Sequence, residues 1–171
     1  MSASPTGPLT IDLSGQVALV TGASRGIGRA IAERLAGCGA WVACIARNED
    51  KLAETVQSIQ ANGGQTQPFQ ADVSNKEAVE KVVEDIAESQ GKIDILINNA
   101  GITRDGLVLR MEDEEWQAVL DTNLTGTFYF TRAVTRSMMQ NRYGRIVNIS
   151  SISGIMGNSG QANYSASKAG M

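Results

Sequence analysis

The sequence predicts a doubly wound α/β domain, a parallel sheet with helices on both faces, and three observations carry that expectation. Five short apolar runs rich in β-branched residues recur along the chain, segments of helical period separate them, and a glycine-rich turn joins the first run to the first helical segment. Parallel strands require crossovers, and right-handed crossovers fold the intervening helices back over the sheet.

The elements follow in order. Residues 1–12 are read as a flexible tail, because Ser, Thr and Pro dominate without periodicity. Order is expected from Leu13, with residues 13–171 forming one domain. The strands are Val17–Val20, Trp41–Ile45, Thr66–Gln70, Ile93–Ile97 and Arg145–Ile149. Ile31 and Leu35 mark the first helix, and Leu52, Val56 and Ile59 the second. Val79, Val82, Val83 and Ile86 mark the third, at the i, i+3, i+4, i+7 spacing that lines one helical face. Asn48 before Glu49-Asp50 and Ser74 before Glu77 read as polar helix starts followed by acids, and Asn62-Gly63-Gly64 as a stop. A long helix is expected around Glu115–Met139.

Composition narrows the chemistry. With 171 residues, a core-forming apolar fraction and no linker or repeat, one domain is the expectation. Fifteen basic and eighteen acidic residues give a net charge of −3 without a long basic run, so nucleic acid is not an expected partner. Histidine is absent, which removes Ser-His and Cys-His nucleophiles and the commonest metal ligand, and no metal site is expected. Cys38 and Cys44 read as reduced packing residues. The first residues lack a signal-peptide pattern and no run approaches 18 apolar residues, so a cytoplasmic location without membrane contact is expected.

The first strand runs into Thr21-Gly22-Ala23-Ser24-Arg25-Gly26-Ile27-Gly28. Glycines let the backbone turn tightly and approach a pyrophosphate, while the free N–H groups of the helix start attract it. At the first strand-to-helix junction of a Rossmann-like pattern, Gly22 through Gly28 are therefore assigned to a dinucleotide, although the spacing is GxxxGxG and not GxGxxG. An acid at the end of the second strand would favour NAD; this chain has Ala46 and Arg47 there. Arg25 and Arg47 suit a 2′-phosphate, so the expected cofactor is NADP(H).

Downstream, Tyr164 and Lys168 stand four residues apart, which on a helix places phenol and ammonium on one face. A neighbouring cation favours a phenolate, so the pair suits proton transfer. Ser151 follows the fifth strand, with Ser150 beside it as a competitor that strand alternation sends to the opposite face. Asn98-Asn99-Ala100-Gly101 follows the fourth strand, at the edge where open α/β sheets bind ligands.

Taken together, Thr21-Gly22-xxx-Gly26-x-Gly28, Asp72-Val73, Asn98-Asn99-Ala100-Gly101, Asn123, Ser151 and Tyr164-xxx-Lys168 resemble the short-chain dehydrogenase/reductase family over residues 13–171. The finer pattern resembles its 3-oxoacyl-(acyl-carrier-protein) reductases: Ile102-Thr103-Arg104-Asp105, Arg110-Met111, Asp113-Glu114-Glu115-Trp116 and Met156 through Tyr164. The resemblance implies NADPH-dependent reduction of a 3-oxoacyl thioester. Tyr164 would donate the proton, Lys168 would assist it and hold the nicotinamide ribose, and Ser151 would bind the substrate carbonyl. Asn123 would hold a relay water. Asp72 and Val73 would contact the adenine, with Asn99, Ala100 and Gly101 along the adenine-ribose side.

Other readings remain: another carbonyl or acetoacetyl-CoA reductase, or a non-catalytic dinucleotide-binding protein or fragment. An acidic carrier protein would meet basic groups among Arg132, Arg136, Arg142 and Arg145. Family members continue past the position of Met171, so the chain reads as missing the C-terminal part of the fold, and the full-length protein as a homotetramer.

Overall fold

A computed structural model describes residues 11–171. Of the expected tail, residues 1–10 lie outside the described residues.

The strands are β1 (Val17–Thr21), β2 (Trp41–Ala46), β3 (Gln65–Gln70), β4 (Ile95–Asn98) and β5 (Arg145–Asn148). They form one sheet of order β3-β2-β1-β4-β5, and every pairing is parallel. The chain builds outward from β1 to β3, then crosses back to add β4 and β5 on the other side. That reversal leaves a crevice at the carboxyl ends of β1 and β4, the place where such sheets accept ligands.

Strand alternation divides the core in two. Val17 and Leu19 of β1, Ala43 and Ile45 of β2 and Leu96 of β4 face α3 (Lys76–Gln90) and α5 (Gly126–Gln140), meeting Val79, Val83, Ile86, Phe130 and Val134. Ala18 and Val20, Val42 and Cys44, and Ile95 and Ile97 point the other way. They pack on Ala32 and Ala36 of α1 (Gly26–Gly37) and on Leu52, Val56 and Ile59 of α2 (Glu49–Ala61). A strand buried on both faces has no polar side to show, which is why these runs are almost continuously apolar. β5 differs: its four residues are exposed, with Val147 46% accessible.

The Asn48 side chain accepts the Lys51 N–H at the start of α2, and α2 stops at Asn62 before Gly63, whose φ is +77°. At α3 the expected start moves by one residue. Ser74 is held by Asp72, whose Oδ1 accepts both its N–H (2.9 Å) and its hydroxyl (2.7 Å), and Asn75 caps the helix by accepting the Ala78 N–H at 2.9 Å. Cys44 and Cys38 are free, buried and half-buried respectively, and burial pushes the Cys44 thiol up.

The long helix expected around Glu115–Met139 is interrupted. α4 (Asp113–Leu120) and α5 are joined by a π turn, Asp121–Thr125. Such a turn inserts an extra residue into the helical ladder and rotates a side chain off its regular face. Here it turns Asn123 fully inward. Gly126 then lets the helix close on α3's approach loop, since a Cβ there would stand 2.9 Å from the Val73 carbonyl oxygen.

Candidate active site

The glycine turn forms the floor of the crevice. Gly22 (φ +67°) and Gly26 (φ +55°) take left-handed backbone conformations that favour glycine. Gly28 faces inward, where any Cβ would collide with the Gly22 carbonyl oxygen and the Asn99 amide. The Asn99 amide donates to the carbonyls of Thr21 (3.0 Å) and Gly22 (3.3 Å), and Thr21 Oγ1 accepts the N–H groups of Asn99 and Ala100, both at 3.0 Å. The loops after β1 and β4 are thus stitched edge to edge. Asn99 spends its side chain on that seam.

Over this floor lies a cavity of about 550 Å³, lined by Gly22, Ser24, Arg25, Gly26 and Ile27 from the turn, Arg47 from the end of β2, Val73, and Asn99 to Gly101. Arg25 occupies the N-cap of α1 without a side-chain bond to the helix, so the first-turn N–H groups are not capped from within. Ala23 and Gly28 are buried beneath the turn and do not line the cavity. Asp72 does not line it either. Desolvation pushes its carboxyl up, but the Ser74 hydroxyl and amide and the Arg47 guanidinium outweigh that and hold it below the usual value. Arg47 stands 3.5 Å from Asp72 and is 60% exposed.

Lys51 also lines the cavity, a residue that sequence reasoning passed over. It sits three residues beyond Asn48 in the first turn of α2. That helical register was the available signal.

Tyr164 and Lys168 are carried by α7 (Ala162–Gly170), beyond the Gly101 end of the cavity. A Cβ on Gly101 would lie 3.6 Å from the Lys168 ammonium, so the lysine abuts the cavity wall. Lys168 is 5% exposed and donates to the Ile149 carbonyl at 2.7 Å; burial lowers its pKa. Its nitrogen stands 5.9 Å from the centroid of the half-buried Tyr164 ring.

The two serines that follow β5 make different contacts. Ser150 donates to the Lys168 carbonyl at 2.7 Å, tying the strand end to α7. Ser151 Oγ accepts the N–H of Ser153 at 3.2 Å, its one side-chain hydrogen bond among the described residues. The short helix α6 (Ser153–Met156) crosses α7 in backbone contact, for a Cβ on Gly154 would stand 2.7 Å from the Lys168 carbonyl carbon. Asn123 is fully buried. Its Oδ1 accepts the Ile102 N–H at 2.8 Å and its Nδ2 donates to the Ile102 carbonyl at 3.0 Å. A surface role for this asparagine is thereby excluded.

A glycine-floored cavity thus lies at a strand-order reversal, where open α/β sheets accept ligands, and the helix that carries Tyr164 and Lys168 abuts it at Gly101. The family model for short chain dehydrogenases matches residues 16–171. The chain belongs to the short chain dehydrogenase family. As a member of it, the chain is 51% identical over 160 residues to the 3-oxoacyl-[acyl-carrier-protein] reductase of Synechocystis, with 93% of this chain and 65% of that protein covered. It is 49% identical over 161 residues to the corresponding reductase of Escherichia coli, covering 94% and 65%. A solved structure described as a short-chain alcohol dehydrogenase from Sinorhizobium meliloti superposes with a TM-score of 0.90 at 41% identity, covering 95% of this chain and 64% of that one. The chain thus spans about 65% of the length of the curated relatives it matches.

Among the described residues no helix is long and apolar enough to cross a membrane. Of the arginines expected to meet an acidic carrier, Arg132 lies 3.4 Å from Glu80 and over the Phe128 ring, Arg145 lies over the Tyr143 ring, and Arg142 is exposed with φ +51°.

Proposed function

We propose that this protein is an NADPH-dependent reductase of 3-oxoacyl thioesters, carried by an acyl carrier protein or by CoA. The observation that carries this reading is the buried Lys168 on the same helix as Tyr164, abutting the glycine-floored cavity at Gly101. The identity to carrier-protein reductases supports the choice of substrate class.

The residues present fit a dinucleotide phosphate. The cavity-lining turn residues Ser24, Arg25, Gly26 and Ile27, at the uncapped start of α1, offer backbone N–H groups to a pyrophosphate. Arg25, Arg47 and Lys51 put three cations around the cavity, suited to a 2′-phosphate. Val73 offers an apolar wall for adenine, with Asp72 behind it, and Asn99 to Gly101 form the ribose side. When bound, the nicotinamide supplies the hydride.

The protein's own groups do the remainder. Ser151 donates to the substrate carbonyl oxygen and fixes its angle. Tyr164 delivers a proton to that oxygen, so that negative charge does not accumulate there. Lys168 holds the ribose hydroxyls and favours departure of the Tyr164 proton. Asn123, buried beside it, orders the π turn around a proton-supplying water.

In the whole protein, Arg142 with its arginine neighbours receives the acidic carrier, the α4–α5 and α7 helices contribute to a homotetramer, and the enzyme works in the cytoplasm. The test is NADPH consumption with acetoacetyl-CoA by the chain and by Tyr164→Phe. Turnover in the first and a loss of about a hundredfold or more in the second is expected. NADPH binding without turnover would leave a dinucleotide-binding protein instead.

A further inference from the structure

Two fully buried polar side chains of α7 stand outside the expected catalytic set: Asn163 and Ser167, each directly preceding Tyr164 or Lys168. Asn163 Oδ1 accepts the Tyr164 N–H at 2.7 Å, which satisfies a donor that the first turn of a helix leaves free. Its Nδ2 donates to the Arg104 carbonyl at 2.9 Å and reaches the Glu115 carbonyl of α4 at 3.4 Å. Ser167 accepts from Asn123 Nδ2 at 3.0 Å and donates to the Tyr164 carbonyl at 2.8 Å. Asn123 in turn grips both backbone groups of Ile102.

The segment Ile102–Arg104 is therefore fastened at both ends to the same helix, through Asn123 and Ser167 at Ile102 and through Asn163 at Arg104. Gly101 and Ile102 line the cavity, so this segment is continuous with the cavity wall. A satisfied buried amide or hydroxyl elsewhere in a core only avoids a desolvation penalty. Here the bonds join two parts whose separation governs the reaction, and a displacement of 1 Å between reacting groups costs up to about a hundredfold in rate.

We propose that Asn163 and Ser167 are positioning residues, a two-point latch that holds the Tyr164–Lys168 helix at a fixed distance from the Ile102–Arg104 wall of the dinucleotide cavity. The assignment rests on the reductase reading. Neither residue touches the reacting atoms; both act through the placement of α7.

The test compares Ser167→Ala, Ser167→Thr and Asn163→Ala with the unaltered protein. Removing either latch point is expected to lower kcat about tenfold while KM for NADPH and for acetoacetyl-CoA changes less than about twofold. The primary isotope effect on kcat with NADPH deuterated at the transferred hydrogen should rise, because a misplaced donor slows the chemical step. Ser167→Thr keeps the hydroxyl and should return both quantities towards their original values. Loss of folded protein alone would lower kcat without moving the isotope effect, and that result overturns the proposal, as does Ser167→Thr behaving like Ser167→Ala.

Amide hydrogen exchange, read without substrate, separates failure of the latch from failure of the reductase reading. Exchange at Ile102 should quicken about fivefold in Ser167→Ala, and at Tyr164 in Asn163→Ala. If the unaltered protein consumes no NADPH, the reductase reading falls while exchange still decides the latch. Unchanged exchange at both amides removes the latch.

Discussion

The Lys168 ammonium donates to the Ile149 carbonyl at 2.7 Å while standing 5.9 Å from the centroid of the Tyr164 ring. That carbonyl and the Met171 sulfur, 3.6 Å away, are a thin set of partners for a cation only 5% exposed, and burial lowers its pKa accordingly. Lys168→Met should therefore raise stability by about 1 kcal/mol near neutral pH, because it removes a desolvated charge of similar volume and leaves one carbonyl to be resatisfied.

The sign follows from proton counting. With the folded pKa below 10.5, the unfolded chain holds the proton more readily, and the stability of the unaltered protein rises between the folded value and 10.5. The advantage of Lys168→Met is thus full at neutral pH and shrinks as pH climbs towards 10.5. Urea midpoints at neutral pH and near pH 10 check it, alongside a turnover loss of about a hundredfold. A variant less stable than the original at neutral pH would contradict the assignment of the burial cost.

Gly28 and Gly26 should respond differently to alanine. A Cβ on Gly28 collides with the Gly22 carbonyl and with the Asn99 amide that seams the two loops. Gly28→Ala should cost about 1–3 kcal/mol and abolish NADPH binding, since the cavity floor itself must move. At Gly26 nothing lies within 4 Å of the added carbon, and only the positive φ of +55° resists. Gly26→Ala should cost about 1–2 kcal/mol with no steric loss of the seam. Thermal melts with and without NADPH distinguish them.

Arg47 is shared between the cavity and Asp72. Replacing it by Ala should weaken NADPH about five- to tenfold and leave NADH nearly unchanged, as expected when a solvent-screened charge-assisted bond to a 2′-phosphate is lost. Asp72→Asn keeps the acceptor for the Ser74 turn but removes the charge opposite Arg47, and should tighten NADPH a few-fold. Fluorescence titration with both cofactors reads the ratio; equal losses for NADH and NADPH in Arg47→Ala would exclude a 2′-phosphate contact. The Asp72 carboxyl is held below its usual value, so its contribution to the turn is present above pH 3.8 and is lost as pH falls through the folded value.

The strands β1, β2 and β4 were legible because strands buried on both faces leave an unbroken apolar signature, and the helices because their buried stripes keep a strict spacing, as at Val79, Val82, Val83 and Ile86. The glycine turn was legible because positive φ and close approach demand glycine at fixed intervals. The hidden part depends on tertiary context. A π turn leaves no periodic mark, so nothing in the spacing around Asn123 told of its burial. Asn163, just before Tyr164, and Ser167, just before Lys168, carry no sequence mark of their burial, since nothing in a short sequence tells a buried amide or hydroxyl from a solvated one. Ser74 read as the cap of α3, but Asp72 holds it and Asn75 caps the helix instead.

Asn123 offers the sharpest remaining test, because its amide is used on both sides. Asn123→Ala strands the N–H and the carbonyl of Ile102 in a buried setting, at about 1–3 kcal/mol for each group left unmet. Asn123→Asp keeps an acceptor for the Ile102 N–H but turns an anionic oxygen towards the Ile102 carbonyl. It should be the less stable of the two at pH 8. Protonation supplies a hydroxyl that can donate to that carbonyl, and a buried carboxyl facing an acceptor has a folded pKa above its unfolded value. The aspartate variant should therefore gain stability relative to Asn123→Ala as pH falls from 8 to 5. Denaturant midpoints at the two pH values measure this, and a pH-independent gap between the variants would mean that the amide nitrogen of Asn123 does not hold the Ile102 carbonyl.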